Sequence, residues 1–257
     1  MFDITILGSG TSTGVPLIGC QCSVCTSNNP KDKRLRTSIK ISSPTTTVVI
    51  DTTPDFRYQM LRAKVTQLDA ILFTHEHKDH VAGLDDIRAF NFKHDREIDL
   101  YAERRVQQAL KNEFAYIFSE LQYPGLPRVI LNDIDGSTLH IQGVAVTPIQ
   151  TMHYKLPVFG FRINDFTYIT DAKTISAQEK EKIKGSKVLV LNALRKEEHL
   201  SHFTFEEAIA LALELDCEQT YFTHISHQLG TQQAIAIELA KYHGRIALAY
   251  DGLVVEL

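Results

Sequence analysis

The sequence predicts a mixed α/β fold, with stacked sheets covered by helices, in one domain spanning residues 1–257. Three observations predict it. Strand-like and helix-like hydrophobic patterns alternate along the chain, the arrangement that packs helices on sheet faces. No internal repeat or low-complexity linker interrupts the alternation. Finally, 257 residues at 44 % hydrophobic and 23 % charged composition are ordinary for a globular protein and ample for one large core.

Taken in order, Phe2 to Gly8, Ser38 to Ser42 and Thr46 to Ile50 read as strands. Pro54-Asp55 opens a short helix from Phe56 to Ala63. Leu68-Asp69-Ala70-Ile71-Leu72-Phe73 is apolar and reads as a buried strand ending at Thr74. A helix is expected from Val81-Ala82-Gly83-Leu84 through about Ala89. Glu103 to Glu120 has helical periodicity, with Val106, Leu110, Phe114, Ile117 and Leu121 on one stripe. His94 to Asp135 carries no motif and includes a stiff loop, Tyr123 to Pro127, expected to shape substrate entry. Strands are expected at Arg128 to Leu131, Thr138 to Ile141, Val144 to Ile149, Val158 to Ile163 and Phe166 to Thr170. The strand Val188 to Leu191, the helix Thr204 to Glu214 and the strand Thr220 to Thr223 follow. A helix from Gln232 to Tyr242 and paired strands near Ile246 and Val254 close the chain.

The buried strand runs into Thr74-His75-Glu76-His77-Lys78-Asp79-His80, three imidazoles and a carboxylate in six consecutive positions. In extended backbone His75, His77 and Asp79 share one face, because residues two apart point the same way. The turn into the following helix carries His80 round to join them. A solvated polar loop is the plainer account, but it requires neither three histidines nor this order. Four metal-type ligands from one loop exceed what a single ion needs, which leads to two divalent metals.

Of the four cysteines, three form Cys20-x-Cys22-x-x-Cys25. Met1 to Gly8 lacks the basic and apolar regions of a signal peptide, so the cytoplasm is the expected location. There, such a cluster reads as a metal site before a disulfide framework. Three thiolates need a fourth ligand from elsewhere, such as a histidine, to close a tetrahedral zinc site. Cys217 reads as an inert thiol. Four more candidates lie near element ends: His153, Asp171 and His224 after strands, and His202 before the helix at Thr204. Each alone is also readable as a hydrogen-bonded surface residue.

His-x-His-x-Asp-His, with the later isolated His, Asp and His, resembles the metallo-β-lactamase superfamily. Gly8-Ser9-Gly10-Thr11-Ser12-Thr13-Gly14-Val15-Pro16, the cysteine cluster and Thr223-His224-Ile225-Ser226-His227 resemble its PhnP-like group, phosphodiesterases acting on a phosphoribosyl 1,2-cyclic phosphate. The resemblance implies an αββα sandwich with a zinc-stapled N-terminal loop. It implies that His75, His77 and His153 hold one metal, that Asp79, His80 and His224 hold the second, and that Asp171 bridges them. It makes Cys20, Cys22, Cys25 and His227 a closed structural zinc site. Asp51 matches the superfamily's first acidic motif, with the role of orienting ligand-bearing backbone or an imidazole. His202 is the expected general acid, with His199 in reserve, and Asp79 and His202 are the expected catalytic residues. The cofactors implied are two Mn or Zn ions and one structural Zn.

The implied reaction is hydrolysis of a small or cyclic phosphodiester by metal-activated water. Acyl (thioester or lactone) hydrolysis on the same fold and tRNA 3′-end cleavage are the alternatives. A formal net charge of −4 and the lack of a basic Gly/Pro-rich arm argue against nucleic acid. Lys31, Lys33, Arg34 and Arg36 form a local basic run that reads first as a solvated loop. Arg36, Arg88 and Lys155 are candidate anion contacts, each also readable as surface charge. No apolar run is long enough to cross a bilayer. Dimers are common in the superfamily, so a homodimer is an allowed assembly.

Overall fold

In the computed structural model, which describes residues 2–119 and 123–257, the chain divides into two compact units, each built on its own sheet. One takes Ser38–Asp135 with both chain ends, and the other takes Gly8–Thr37 and Gly136–Leu253. In chain order the elements are β1 (Asp3–Gly8), β2 (Ser38–Ser42), β3 (Thr47–Ile50), α1 (Phe56–Arg62), β4 (Ala70–Leu72), α2 (Lys78–Val81), α3 (Arg88–His94), β5 (Ile98–Ala102), α4 (Arg104–Glu113) and β6 (Val129–Asp133). They continue with β7 (Leu139–Ile141), β8 (Val144–His153), β9 (Leu156–Ile163), β10 (Phe166–Ile169), β11 (Thr174–Ile175), α5 (Ala177–Ile183) and β12 (Val188–Asn192). Last come α6 (Phe205–Leu215), β13 (Gln219–Thr223), α7 (Gln232–Leu239), β14 (Ile246–Leu248) and β15 (Val254–Glu256).

The first unit's sheet runs β15-β1-β2-β3-β4-β5-β6, with β3 to β6 parallel. Parallel pairing requires crossovers, and α1, α3 and α4 lie in them. Their apolar sides bury Phe56, Met60, Phe90, Val106 and Leu110 against Val49, Ile71 and Leu100 of the strands. Gly83 permits a close approach here: a Cβ on it would lie 2.2 Å from the Thr53 carbonyl oxygen. Its N–H donates to the Thr52 carbonyl at 2.8 Å, which seats α2 against the loop after β3.

The second unit's sheet runs β11-β8-β9-β10-β12-β13-β14, with β7 paired to β8. β10, β12, β13 and β14 are parallel. α6 starts at a capping box, Thr204 with Glu207. It buries Phe205, Ala208, Ile209, Ala212 and Leu215 at helical spacing against Leu189, Leu191 and Phe222.

Several sequence expectations are corrected. The helix expected to reach Glu120 ends at Glu113. Phe114 leaves helical geometry at φ −109°, ψ 43°, and the Tyr116 hydroxyl donates to Asp85 Oδ1 at 2.7 Å. Leu121 of the expected stripe lies outside the described residues. The helix expected after the His motif is three short pieces: α2, a 3-10 turn at Leu84–Ile87, and α3. The first begins at Lys78, so Asp79 is helical and does not share an extended face with His75 and His77. β14 and β15 are not partners: β14 pairs with β13, and β15 with β1. The motif-free stretch after His94 holds β5, whose buried Ile98, Leu100 and Ala102 alternate with half-buried Asp99 and Tyr101.

Candidate functional site

Parallel strands release their chain at their carboxyl ends, where loops carry functional groups. In the first unit Asp51 follows β3 and His75 lies just beyond β4. Asp51 adopts a left-handed φ of 66°, a strained conformation that surrounding structure must enforce. Its buried carboxylate accepts the Thr74 N–H on Oδ1 and the Thr74 hydroxyl on Oδ2, both at 2.9 Å. His80 Nδ1 lies 2.7 Å from Asp51 Oδ2. That bond makes Nδ1 the donor, leaves Nε2 as the lone-pair nitrogen, and fixes the ring's orientation. Burial pushes the Asp51 carboxyl up, against the downward pull of His80 and Thr74.

The imidazoles of this loop crowd together. The His75 ring centroid is 4.5 Å from that of His77 and 4.2 Å from that of His80. His80 Nε2 lies 3.2 Å from Asp79 Oδ2. His75 and His80 are buried, Asp79 is half-buried and His77 is exposed. The intervening residues face elsewhere: Glu76 pairs with Arg105 and Lys78 with Glu113, both on α4.

In the second unit, Asp171 follows β10 and His224 follows β13, at φ 54° and 56°. His224 Nε2 lies 3.1 Å from Asp171 Oδ1, and Asp171 Oδ2 accepts the Thr170 hydroxyl at 2.6 Å. Asn192, ending β12, accepts the Ala172 N–H and donates to its carbonyl, which pins the residue after Asp171. His153 is the last residue of β8 and not a residue beyond a strand ending at Ile149. Its Nδ1 donates to the Ser201 carbonyl at 2.9 Å, so Nε2 carries the lone pair.

His202 is buried at the centre of a group of imidazoles. Its ring stacks on His224 at 4.6 Å and lies 4.5 Å from His153 and 4.9 Å from His199. Burial, with neighbouring His224, pushes its pKa down to about 2 against the opposing pull of Asp171, so the ring is neutral. His153, Asp171 and His202 present ligand atoms within 4.8 Å of one another. The donors of both units are imidazole nitrogens and carboxylate oxygens, a set that suits zinc or manganese.

Cys20, Cys22, Cys25 and His227 also converge within 4.8 Å. His227 Nδ1 is 3.5 Å from Cys20 Sγ and 3.4 Å from Cys22 Sγ. The N–H groups of Leu17 and Cys25 point at Cys25 Sγ and Cys22 Sγ. Four converging soft ligands, with amides aimed at sulfur, fit a closed tetrahedral zinc. The His227 hydrogen bond lowers the Cys22 thiol to about 6, while burial raises Cys25 to about 11. This loop also reaches the loop of His224: Thr11 N–H donates to the Ile225 carbonyl and Ile225 N–H to the Ser9 carbonyl. Cys217 is buried, with its pKa raised by burial, as expected of an inert thiol.

Every candidate ligand therefore lies in one of these clusters, and Asp51 sits where an orienting carboxylate should. Sequence reasoning missed Thr74, Thr170, Asn192 and Arg105. The first is the threonine that opens the His motif, and Thr170 directly precedes the Asp171 it donates to; Asn192 and Arg105 carry no local signal, because their partners Ala172 and Glu76 are distant in sequence.

The sequence matches the family described as Beta-lactamase superfamily domain over residues 46–225. Its whole length superposes on the crystal structure of a new diphosphatase from the PhnP family. The TM-score is 0.93 and the identity 36 %, over 98 % of that chain. An octanoyltransferase of Porphyromonas gingivalis is 40 % identical over 251 residues, 96 % of this chain and 50 % of that protein. A ribonuclease Z of Staphylococcus haemolyticus is 28 % identical over 108 residues, 40 % of this chain and 34 % of that enzyme. The chain thus spans half or less of the curated relatives it matches.

Proposed function

The chain belongs to the metallo-β-lactamase superfamily, in its PhnP-like group, and from that premise we propose that this metallohydrolase cleaves a phosphodiester or diphosphate in a small molecule. The observation that carries the reading is the full-length similarity, at 36 % identity, to a PhnP-family diphosphatase. His75, His77, Asp79 and His80 in the first unit are proposed as ligands of divalent ions, zinc or manganese, and so are His153, Asp171 and His224 in the second. Bound ions of this kind polarise a phosphoryl group and make water acidic enough to attack near neutral pH. Asp51 holds the His80 ring in the ligating tautomer, and the Ser201 carbonyl does the same for His153. His202 is assigned proton transfer to the departing oxygen, worth about 10²–10⁴-fold. A neutral buried imidazole fills that role once a bound anion restores its basicity. The Cys3His cluster is proposed as a structural zinc that holds the His224 loop in place.

The octanoyltransferase similarity favours a second reading, hydrolysis of an acyl thioester by the same donors. Side-by-side turnover of bis(p-nitrophenyl) phosphate, a dinucleoside diphosphate and an octanoyl thioester separates the two. The phosphorus substrates should react faster by at least tenfold. Faster thioester cleavage would overturn the phosphodiester reading.

A further inference from the structure

β8 and β9 are joined by a two-residue turn, Tyr154-Lys155, because His153 pairs with Leu156. Tyr154 sits in it at φ 59°, a left-handed conformation that penalises any side chain bearing a Cβ. Tight hairpins ordinarily place Gly, Asn or Asp there. Elsewhere in this sheet the turns before β8 and β10 use the polar Gln142 and Asn164 for the same conformation. Packing does not account for the tyrosine either, since it is 50 % exposed.

Its surroundings give the ring a use. The preceding residue, His153, donates to the Ser201 carbonyl, which ties this turn to the loop bearing His199, Leu200 and His202. Leu200 is 67 % exposed. Lys155 Nζ lies 5.3 Å from the Tyr154 ring centroid. An exposed aromatic ring and an ammonium thus occupy the turn directly after His153, and an exposed leucine lies in the loop that His153 bonds. A planar base stacks on such a ring whatever its sequence of donors, and its phosphate is drawn to the cation.

We propose that Tyr154 is a specificity-determining residue that stacks on the base of a nucleoside phosphate, with Lys155 supplying charge for the phosphate. The proposal rests on the phosphodiesterase reading and narrows its substrate to one carrying a nucleobase. The test is calorimetric binding of AMP and of ribose 5-phosphate to the metal-loaded protein; the second carries a hydroxyl at C1 where the first carries the base. Wild type should prefer AMP by about 5-fold to 100-fold. Tyr154→Gly, which relieves the turn and should fold at least as well, should bring the ratio near unity with ribose 5-phosphate affinity unchanged. Tyr154→Phe should keep the preference. Equal affinities in wild type, no binding of either ligand, or a preference that survives Tyr154→Gly would overturn it. Failure of the phosphodiesterase reading registers separately, as no turnover of bis(p-nitrophenyl) phosphate by the same metal-loaded protein.

Discussion

Asp51→Asn should weaken metal binding and the fold by comparable amounts. Both oxygens of Asp51 are used: Oδ1 by the Thr74 N–H, and Oδ2 by the Thr74 hydroxyl and His80 Nδ1. An asparagine of the same shape keeps one acceptor for the Thr74 N–H and turns an N–H₂ toward His80. Two donors then face each other, so the imidazole must shift its proton to Nε2 or rotate. Either change removes the lone pair from the nitrogen offered to metal. Loss of such an orienting partner costs about 10–100-fold in metal affinity, or about 1.4–2.7 kcal/mol. Stability should fall by a comparable ~1–3 kcal/mol for one buried hydrogen bond lost. In a chain of this size that lowers Tm by roughly 2–12 °C. The assay is competition with a calibrated chelator, read as ions retained per chain, alongside thermal unfolding of the metal-free protein. Wild-type metal affinity in a folded Asp51→Asn variant would show that Asp51 does not hold the His80 ring for a metal.

His202→Ala should retain its metals and lose about 10²–10⁴-fold in kcat, as metal analysis with steady-state kinetics would reveal; a kcat near wild type would remove His202 from the chemistry. His227→Ala should leave one zinc fewer per chain and a lower Tm, because three thiolates then lack their fourth ligand; unchanged zinc content would contradict the staple. Burial pushes Asp69 up, but the Thr47 N–H, Gln67 and Arg96 outweigh it and hold the carboxyl below its ordinary value. Folding therefore favours the ionised form, and the stability it contributes is present above about pH 4 and is lost as pH falls through the lowered value. Asp69→Asn should flatten that acid limb in denaturant titrations between about pH 5 and 2, and an unaltered slope would show that the shift is absent.

Much of the site was legible because its residues follow local rules. His75 to His80 is a single run, the three cysteines lie within six residues, and Asp171 and His224 sit directly after apolar strands that the hydrophobic pattern exposes. Strand starts at Val188 and Phe166 held for the same reason, since both open fully buried runs. What failed depends on tertiary partners. α4 ends early although Phe114 continues its stripe, since Tyr116 is held by Asp85 from another loop. β8 extends to His153 because β9 pairs with it along its whole length. The left-handed backbone of Asp51, Asp171 and His224 has no signature in sequence, because such residues adopt it only when strand pairing and side-chain hydrogen bonds enforce it.

The most direct test of the account is a metal titration of chelator-stripped protein followed by bis(p-nitrophenyl) phosphate turnover. Activity without added ions should be negligible. Turnover should rise with Mn²⁺ or Zn²⁺ and level off at two equivalents beyond the zinc retained by the cysteine cluster. Full activity in stripped protein, or none in protein shown to hold those ions, would contradict it.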